Sequence, residues 1–149
     1  MEITGEYKLK GTRQEVWDVL DDAKKLERAI PGIDRLIGEG PDRYRAEMSV
    51  GIGVIRGKFS GAMQVEDKVE PESYRMLVDG KGGAGWIKGD GNLKLSEAGE
   101  GATVVKVDGE ASVGGLMARV GQRMVGNVAN ALMKQFFQNV DKELARARK

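Results

Sequence analysis

The sequence contains no histidine and no cysteine. Without histidine, the commonest general base and the commonest metal ligand are both missing. Without cysteine, disulfides, thiolate nucleophiles and Cys-based metal sites are excluded. The serines (Ser49, Ser60, Ser73, Ser96 and Ser112) have no imidazole to activate them. An excess of one charge is missing too: 24 Lys and Arg face 23 Asp and Glu, so nothing points to nucleic acid as a partner. No run approaches the roughly 20 apolar residues of a membrane span. Residues Met1 to Glu6 lack the basic and apolar regions of a signal peptide. The expectation is a soluble, cytoplasmic protein. Its 149 residues suit one domain, 1–149, with no repeat, linker or low-complexity segment.

What is present in quantity is an apolar pattern of period four at the C-terminal end. From Gly114 onward, Leu116, Val120, Met124, Val128, Leu132, Phe136, Val140 and Leu144 form one column. Met117, Gly121, Val125, Ala129, Met133 and Phe137 form a second beside it. The other columns are polar and include Arg119, Arg123, Lys134, Asn139, Glu143 and Arg146. This is the signature of a helix with one buried side. A step of four residues overshoots a turn by about 40°, so the stripe winds around the helix. A twisted, curved sheet wrapping the helix matches such a stripe better than a flat partner. The helix is expected to be continuous and roughly 50 Å long.

The rest of the chain alternates. Ile3, Gly5, Tyr7 and Leu9 share one face of a strand over 2–10. Thr12-Arg13-Gln14-Glu15 is a capping box that opens a helix with Val16, Trp17, Val19 and Leu20 inward. A second short helix starts at Asp21-Asp22 and is stopped by Pro31-Gly32. Period-two strands then follow at about 33–39, 43–50, 53–69, 73–82, 86–95 and 102–113. Their short connections predict antiparallel neighbours, and the class is α+β.

Glycine, at 22 residues, repeatedly takes inward strand positions: Gly57, Gly61, Gly80, Gly82, Gly89, Gly91 and Gly109. Two readings compete. Glycine lets a sheet bend sharply, and missing side chains leave room for an apolar ligand. The methionines Met48, Met63, Met76, Met117, Met124 and Met133 all point to the same interior, where their soft side chains suit either core packing or varied ligands. Gly80-Lys81-Gly82-Gly83-Ala84-Gly85 matches G-x-G-x-x-G, but the dinucleotide fingerprint needs a helix directly afterwards. Trp86 to Leu95 alternates as a strand, so that reading is rejected in favour of a hairpin or a glycine-lined cavity edge. Glu47, Glu66, Asp79 and Asp108 fall on outward parity, with Asp67 the exception near a strand end. Arg56 and Lys58 form an outward pair, either solvated or meeting a partner. No metal site, no cofactor and no catalytic residue is expected.

These same residues carry a resemblance. Glu15-Val16-Trp17-Asp18-Val19-Leu20 followed by Leu26-Glu27-Arg28-Ala29-Ile30-Pro31-Gly32 resembles the opening of the carbon monoxide dehydrogenase G-subunit family. Gly53-Val54-Ile55-Arg56-Gly57-Lys58-Phe59-Ser60-Gly61 and the glycines from Gly80 to Gly89 resemble its central hairpins. Val113-Gly114-Gly115-Leu116-Met117-Ala118-Arg119-Val120-Gly121 resembles the start of its last helix. The resemblance implies a START and Bet v 1-like helix-grip fold: a seven-stranded antiparallel sheet wrapped around a long C-terminal helix, with two short helices after the first strand. It transfers no catalytic residue. It implies work beside a molybdenum-containing carbon monoxide dehydrogenase or related hydroxylase, by membrane recruitment or by handling an apolar small molecule. Longer members continue past the helix into an apolar tail, whereas the sequence here ends at Arg146-Ala147-Arg148-Lys149. That basic end suits the negative pole of a helix or, at most, peripheral contact with the inner face of a membrane.

The expectation is therefore a non-enzymatic protein holding an apolar or amphipathic ligand, such as a quinone-like electron acceptor, between sheet and helix. The expected lining is Ile30, Ile33, Met48, Phe59, Met76, Ile87, Met117, Val120 and Met124. Two alternatives stand beside it. One is a cyclase or hydrolase of the same superfold, which needs a buried carboxylate with a raised pKa. The other is an assembly factor that uses its surface only.

Overall fold

The computed structural model describes residues 1–53 and 55–148. Val54, expected in the strand over 53–69, and Lys149, last of the basic end, lie outside the described residues. Strand β1, Glu2–Leu9, shows the expected alternation of half-buried and exposed residues. Helix α1, Arg13–Leu20, starts at the capping box. Glu15 N donates to Thr12 Oγ1 at 3.1 Å and Thr12 N donates to Glu15 Oε1 at 2.8 Å. Helix α2, Ala23–Ala29, is capped by Asp22, whose carboxylate accepts from the Lys24 and Lys25 amides at 2.9 and 3.1 Å. The extended backbone at Asp22 breaks the line between the two helices.

Six strands follow: β2 Ile33–Gly38, β3 Arg43–Ile52, β4 Ile55–Val69, β5 Ser73–Gly82, β6 Gly85–Glu97 and β7 Thr103–Gly114. With β1 they form one open antiparallel sheet in the order β1-β7-β6-β5-β4-β3-β2. From β2 to β7 every sequential pair is a direct neighbour, as short connections require, and β1 pairs with β7. The G-x-G-x-x-G stretch is the β5–β6 hairpin, with Gly82 opposite Gly85. Asp67, whose parity stood out, sits at φ +52° in a bulge where the β4–β5 register shifts. The extra residue resets the alternation there.

The C-terminal helix is not continuous. It divides into α3, Leu116–Val120, and α4, Gln122–Ala147. Gly121 between them lies at φ +98°, ψ +150°, outside any helical region. A period-four apolar pattern is blind to one backbone angle, so Gly121 read as a small helix residue. The 26 residues of α4 span about 39 Å instead of 50 Å.

The main core sits at one end of the molecule. Trp17, Val16, Val19 and Leu20 of α1 and Ala29 of α2 meet Leu9, Tyr74, Leu93, Leu95, Val105 and Val107 of the sheet there. Phe137, Val140 and Leu144 of α4 complete it. Phe137 stacks on Tyr7 with ring centroids 4.5 Å apart. Asn139 Nδ2 donates to the Ala29 carbonyl at 3.0 Å. Glu143, read as polar and outward, is instead 5 % exposed. It lies against α2, where Arg28 binds it at 2.7 Å, while Arg146 of its own helix binds it at 3.2 Å. Conversely, Leu116 and Met124 of the apolar columns are 57 % and 44 % exposed, one on each side of the break at Gly121.

Candidate functional site

Between α4 and the middle of the sheet lies an apolar cavity of about 250 Å³. Strand β3 contributes Ala46, Met48 and Val50, and β4 contributes Ile55, Phe59, Gly61 and Met63. Val78 and Gly80 of β5 and Ile87 of β6 form the rest of the sheet wall. The helical wall is Met117 of α3 and Val125, Val128, Ala129 and Leu132 of α4. Ser60 and Asp79 are its polar residues.

Register explains why these side chains meet. Met48 lies opposite Phe59, Gly61 opposite both Ala46 and Gly80, Met63 opposite Val78, and Gly80 opposite Ile87. The shortest residues of three strands thus fall in one row across the sheet, which leaves space above them. Helix α4 is held by its C-terminal half against β1, α1 and α2, so its N-terminal half stands over that row without filling it. One end of the space is closed by Ile55, Met117 and Val125 with Val113, Val120 and Ala84 packed around them. The other is closed by Val65, Met76, Met133 and Phe136 on the main core.

The glycines answer both readings made from sequence. A Cβ at Gly61 would stand 2.6 Å from the Asp79 carbonyl oxygen, and one at Gly109 would stand 2.6 Å from that of Asp90. Those positions are glycine because backbones approach closely where the sheet bends. A Cβ at Gly89 meets only Val78, at 3.8 Å, which is ordinary contact. Gly61 also borders the cavity, as does Gly80 opposite it, so bending and open volume meet in one row.

Of the expected lining residues, the structure brings Met48, Phe59, Ile87 and Met117 together in the cavity wall. Val120 packs just outside, behind Ile55 and Met117. Met76 belongs to the packing around the main core. Met124 is exposed, and Ile30 and Ile33 are half-buried at the end of α2 and the start of β2 without reaching the wall. Sequence reasoning passed over Ala46, Val50, Val78 and Leu132 as wall residues. Leu132 stands in the apolar column of the helix, but which strand residues meet it depends on register and on where the helix lies.

Two of the larger concavities, of about 500 and 670 Å³, lie on the polar surface. The second includes Arg13, which is already paired with Glu72 at 3.9 Å and Glu97 at 3.6 Å. Neither has the apolar wall that excludes water and binds an apolar molecule. The titratable groups with displaced pKa values lie away from the cavity wall. Burial raises the Tyr74 phenol. The Arg28 hydrogen bond, aided by the charges of Arg28 and Arg146 and opposed by burial, holds Glu143 below the ordinary carboxylate value. Glu143 is the buried carboxylate among the described residues, and it is charged and paired. No described helix is long and apolar enough to cross a membrane.

Solved structures share this frame. A conserved protein from Geobacillus kaustophilus is 36 % identical, with 99 % of this chain and 97 % of that chain covered and a TM-score of 0.95. A START superfamily protein from Mycobacterium smegmatis is 12 % identical, with 98 % of each chain covered and a TM-score of 0.78. A Thermus thermophilus protein, also 12 % identical, matches with both chains covered in full and a TM-score of 0.75. The last two show the START-like fold alone. No curated protein matches the sequence. The family described as the G subunit of carbon monoxide dehydrogenase (CoxG) matches residues 5–145, and this chain, with its open seven-stranded sheet and long last helix, belongs to it.

Proposed function

We propose that this protein is a non-enzymatic carrier of an apolar or amphipathic small molecule, with a quinone-like ring system as the leading class. It works beside a molybdenum-containing carbon monoxide dehydrogenase or a related hydroxylase, as its family suggests. The whole chain acts as one unit, with no cofactor of its own. The observation that carries the reading is the cavity: about 250 Å³ walled by Met48, Phe59, Met63, Ile87, Met117 and aliphatic side chains. An apolar cavity of about 150 Å³ is large enough to stay dry and admit benzene. The larger space here suits a substituted ring, with affinity from apolar contact at about 25 cal/mol per Å² buried. The methionines adjust to ring substituents without strain.

The rival enzymatic reading needs a carboxylate kept neutral inside the cavity. Glu143 does not supply it, since Arg28 favours its charged form and it lies at the far end of α4, and Asp79, which borders the cavity, is an exposed residue. The test is native mass spectrometry of the purified protein after incubation with quinones and with lipids. A retained quinone is expected. Ala129→Phe, which puts an aromatic ring into the cavity from α4, is expected to abolish retention while the protein stays folded. Retention unchanged in that variant, or no retention by the unmodified protein, overturns the reading.

A further inference from the structure

The apolar cavity has a neighbour. A hollow of about 270 Å³ lies where the start of β4, the β5–β6 turn and α3 come together. The two spaces share Ile55 and Met117, which are 5 % and 4 % exposed and stand between them. Met117 sits on α3, a five-residue helix with a glycine at each end. Gly115 at φ +69° and Gly121 at φ +98° both lie outside helical geometry, so α3 is not locked to α4 as one rod. Methionine also changes shape through three rotatable bonds, which makes Met117 the part of the partition that a ligand can displace.

The two spaces differ in kind. The inner wall is apolar, and its polar residues, Ser60 and Asp79, are exposed. An anion placed inside would be desolvated without a partner. The outer hollow is bordered by Arg56 and Lys58, both exposed. Arg56 Nε donates to the Gly53 carbonyl at 3.1 Å, which orients the guanidinium over the β3–β4 turn. That bond uses one of its five N–H groups. Gly57 and Gly83 border the same hollow, and a Cβ on either would meet nothing within 4 Å, so there is room beside the cations. Segments 51–58, 81–87 and 112–125, which build this end, hold Arg56, Lys58, Lys81, Arg119 and Arg123 and not one Asp or Glu. In a chain with 24 basic and 23 acidic residues, this end has no carboxylate of its own to occupy its cations.

We infer that the site takes a ligand of two parts: an apolar body in the inner cavity and an anionic head, a carboxylate or phosphate ester, in the outer hollow against Arg56 and Lys58. The body supplies affinity by leaving water. The head fixes direction, because its charge-assisted hydrogen bonds are available on one side of Met117 and absent on the other. The inference rests on the carrier reading and narrows it, from any apolar molecule to one that carries an acid group a few bonds from its apolar body. Arg56 and Lys58 are then the residues that set head-group specificity.

The test is isothermal titration calorimetry of the full chain at neutral pH with three probes of one shape: naphthyl-butanoate, naphthyl-butanol and naphthyl-butylamine. At that pH the acid is ionised and the amine protonated. The acid is expected to bind about fivefold or more tighter than the alcohol, and the amine most weakly, with the acid's advantage shrinking at high salt. Arg56→Gln, Lys58→Gln is expected to bring the acid down to the level of the alcohol and leave the alcohol's Kd unchanged. The charge-keeping exchange Arg56→Lys, Lys58→Arg is expected to retain the preference. Lys8→Gln, at an exposed charge on β1, is expected to leave all three Kd values as they are. Equal binding of acid and alcohol by the unmodified protein, or a preference that survives the double Gln variant, overturns the assignment. Retention of a neutral quinone together with such indifference leaves the carrier reading standing and removes this one alone. Binding of no probe and no quinone removes both.

Discussion

Glu143 shows how one side chain ties helix to helix. It sits in the polar column of the apolar pattern, and nothing in its own neighbourhood of sequence marks it as buried. Arg28, 115 positions away, is what holds it, with its Nε donating at 2.9 Å. Glu143→Gln weakens both ion pairs and is expected to lower stability by about 1.5–3 kcal/mol, measured by urea unfolding. The pH dependence follows from the sign of its shift. Its folded pKa lies below the ordinary 4.5, so its contribution is complete above that value and is lost as pH falls through the folded value. The unfolding temperature is expected to fall as pH drops below the ordinary carboxylate value, less steeply in the Gln variant. Two glycines make a sharper pair. Gly109→Ala forces a methyl group within 2.7 Å of the Gly91 Cα and is expected to cost about 1–3 kcal/mol. Gly89→Ala meets ordinary contact and is expected to gain about 0.5–1 kcal/mol by reducing unfolded-chain freedom. Both are inward glycines of neighbouring strands, and only their separation from the opposite backbone tells them apart.

At the scale of elements, the pattern of residues was read most accurately where the signal is local. The capping box at Thr12 and the stop at Pro31-Gly32 bound α1 and α2 through contacts three residues long. Thr12→Ala is expected to cost about 1 kcal/mol in thermal unfolding, with the loss confined to α1 amide protection in hydrogen exchange. The strand boundaries were legible because alternation is also local. The break at Gly121 was not, because a glycine that tolerates φ +98° is the same letter as one packed tightly in a helix. Gly121→Ala is expected to cost about 1–3 kcal/mol by straining that backbone. The strain falls on the α3–α4 junction, so amide protection is expected to drop in α3 and the first turn of α4, with the C-terminal half of α4 unchanged.

For the whole molecule, the cavity and the core are two consequences of one arrangement. The aromatic and large aliphatic residues gather where α1, α2 and the end of α4 meet β1, β7 and β6. The small residues gather under the N-terminal half of α4, whose side chains leave the space above them unfilled. If the cavity holds a quinone-like ligand, a concentration of 100 times the Kd is expected to add about 2.7 kcal/mol of stability. In a chain of this length that is an increase of about 5–10 °C in Tm by scanning calorimetry, absent in Ala129→Phe. Composition and local pattern are enough for the α+β class, the order and periods of the elements, the sheet around a last helix and the lack of imidazole or thiol chemistry. They suffice because each of these depends on residues near one another in the chain or on composition. Three-dimensional packing is what puts Met48, Phe59, Ile87 and Met117 in one cavity and leaves Met76 and Met124 out of it, buries Glu143, and breaks the helix at Gly121. Register, helix stand-off and pairing between distant side chains settle those points, and a one-residue slip in register carries a strand's side chains to the opposite face without altering a letter of the chain.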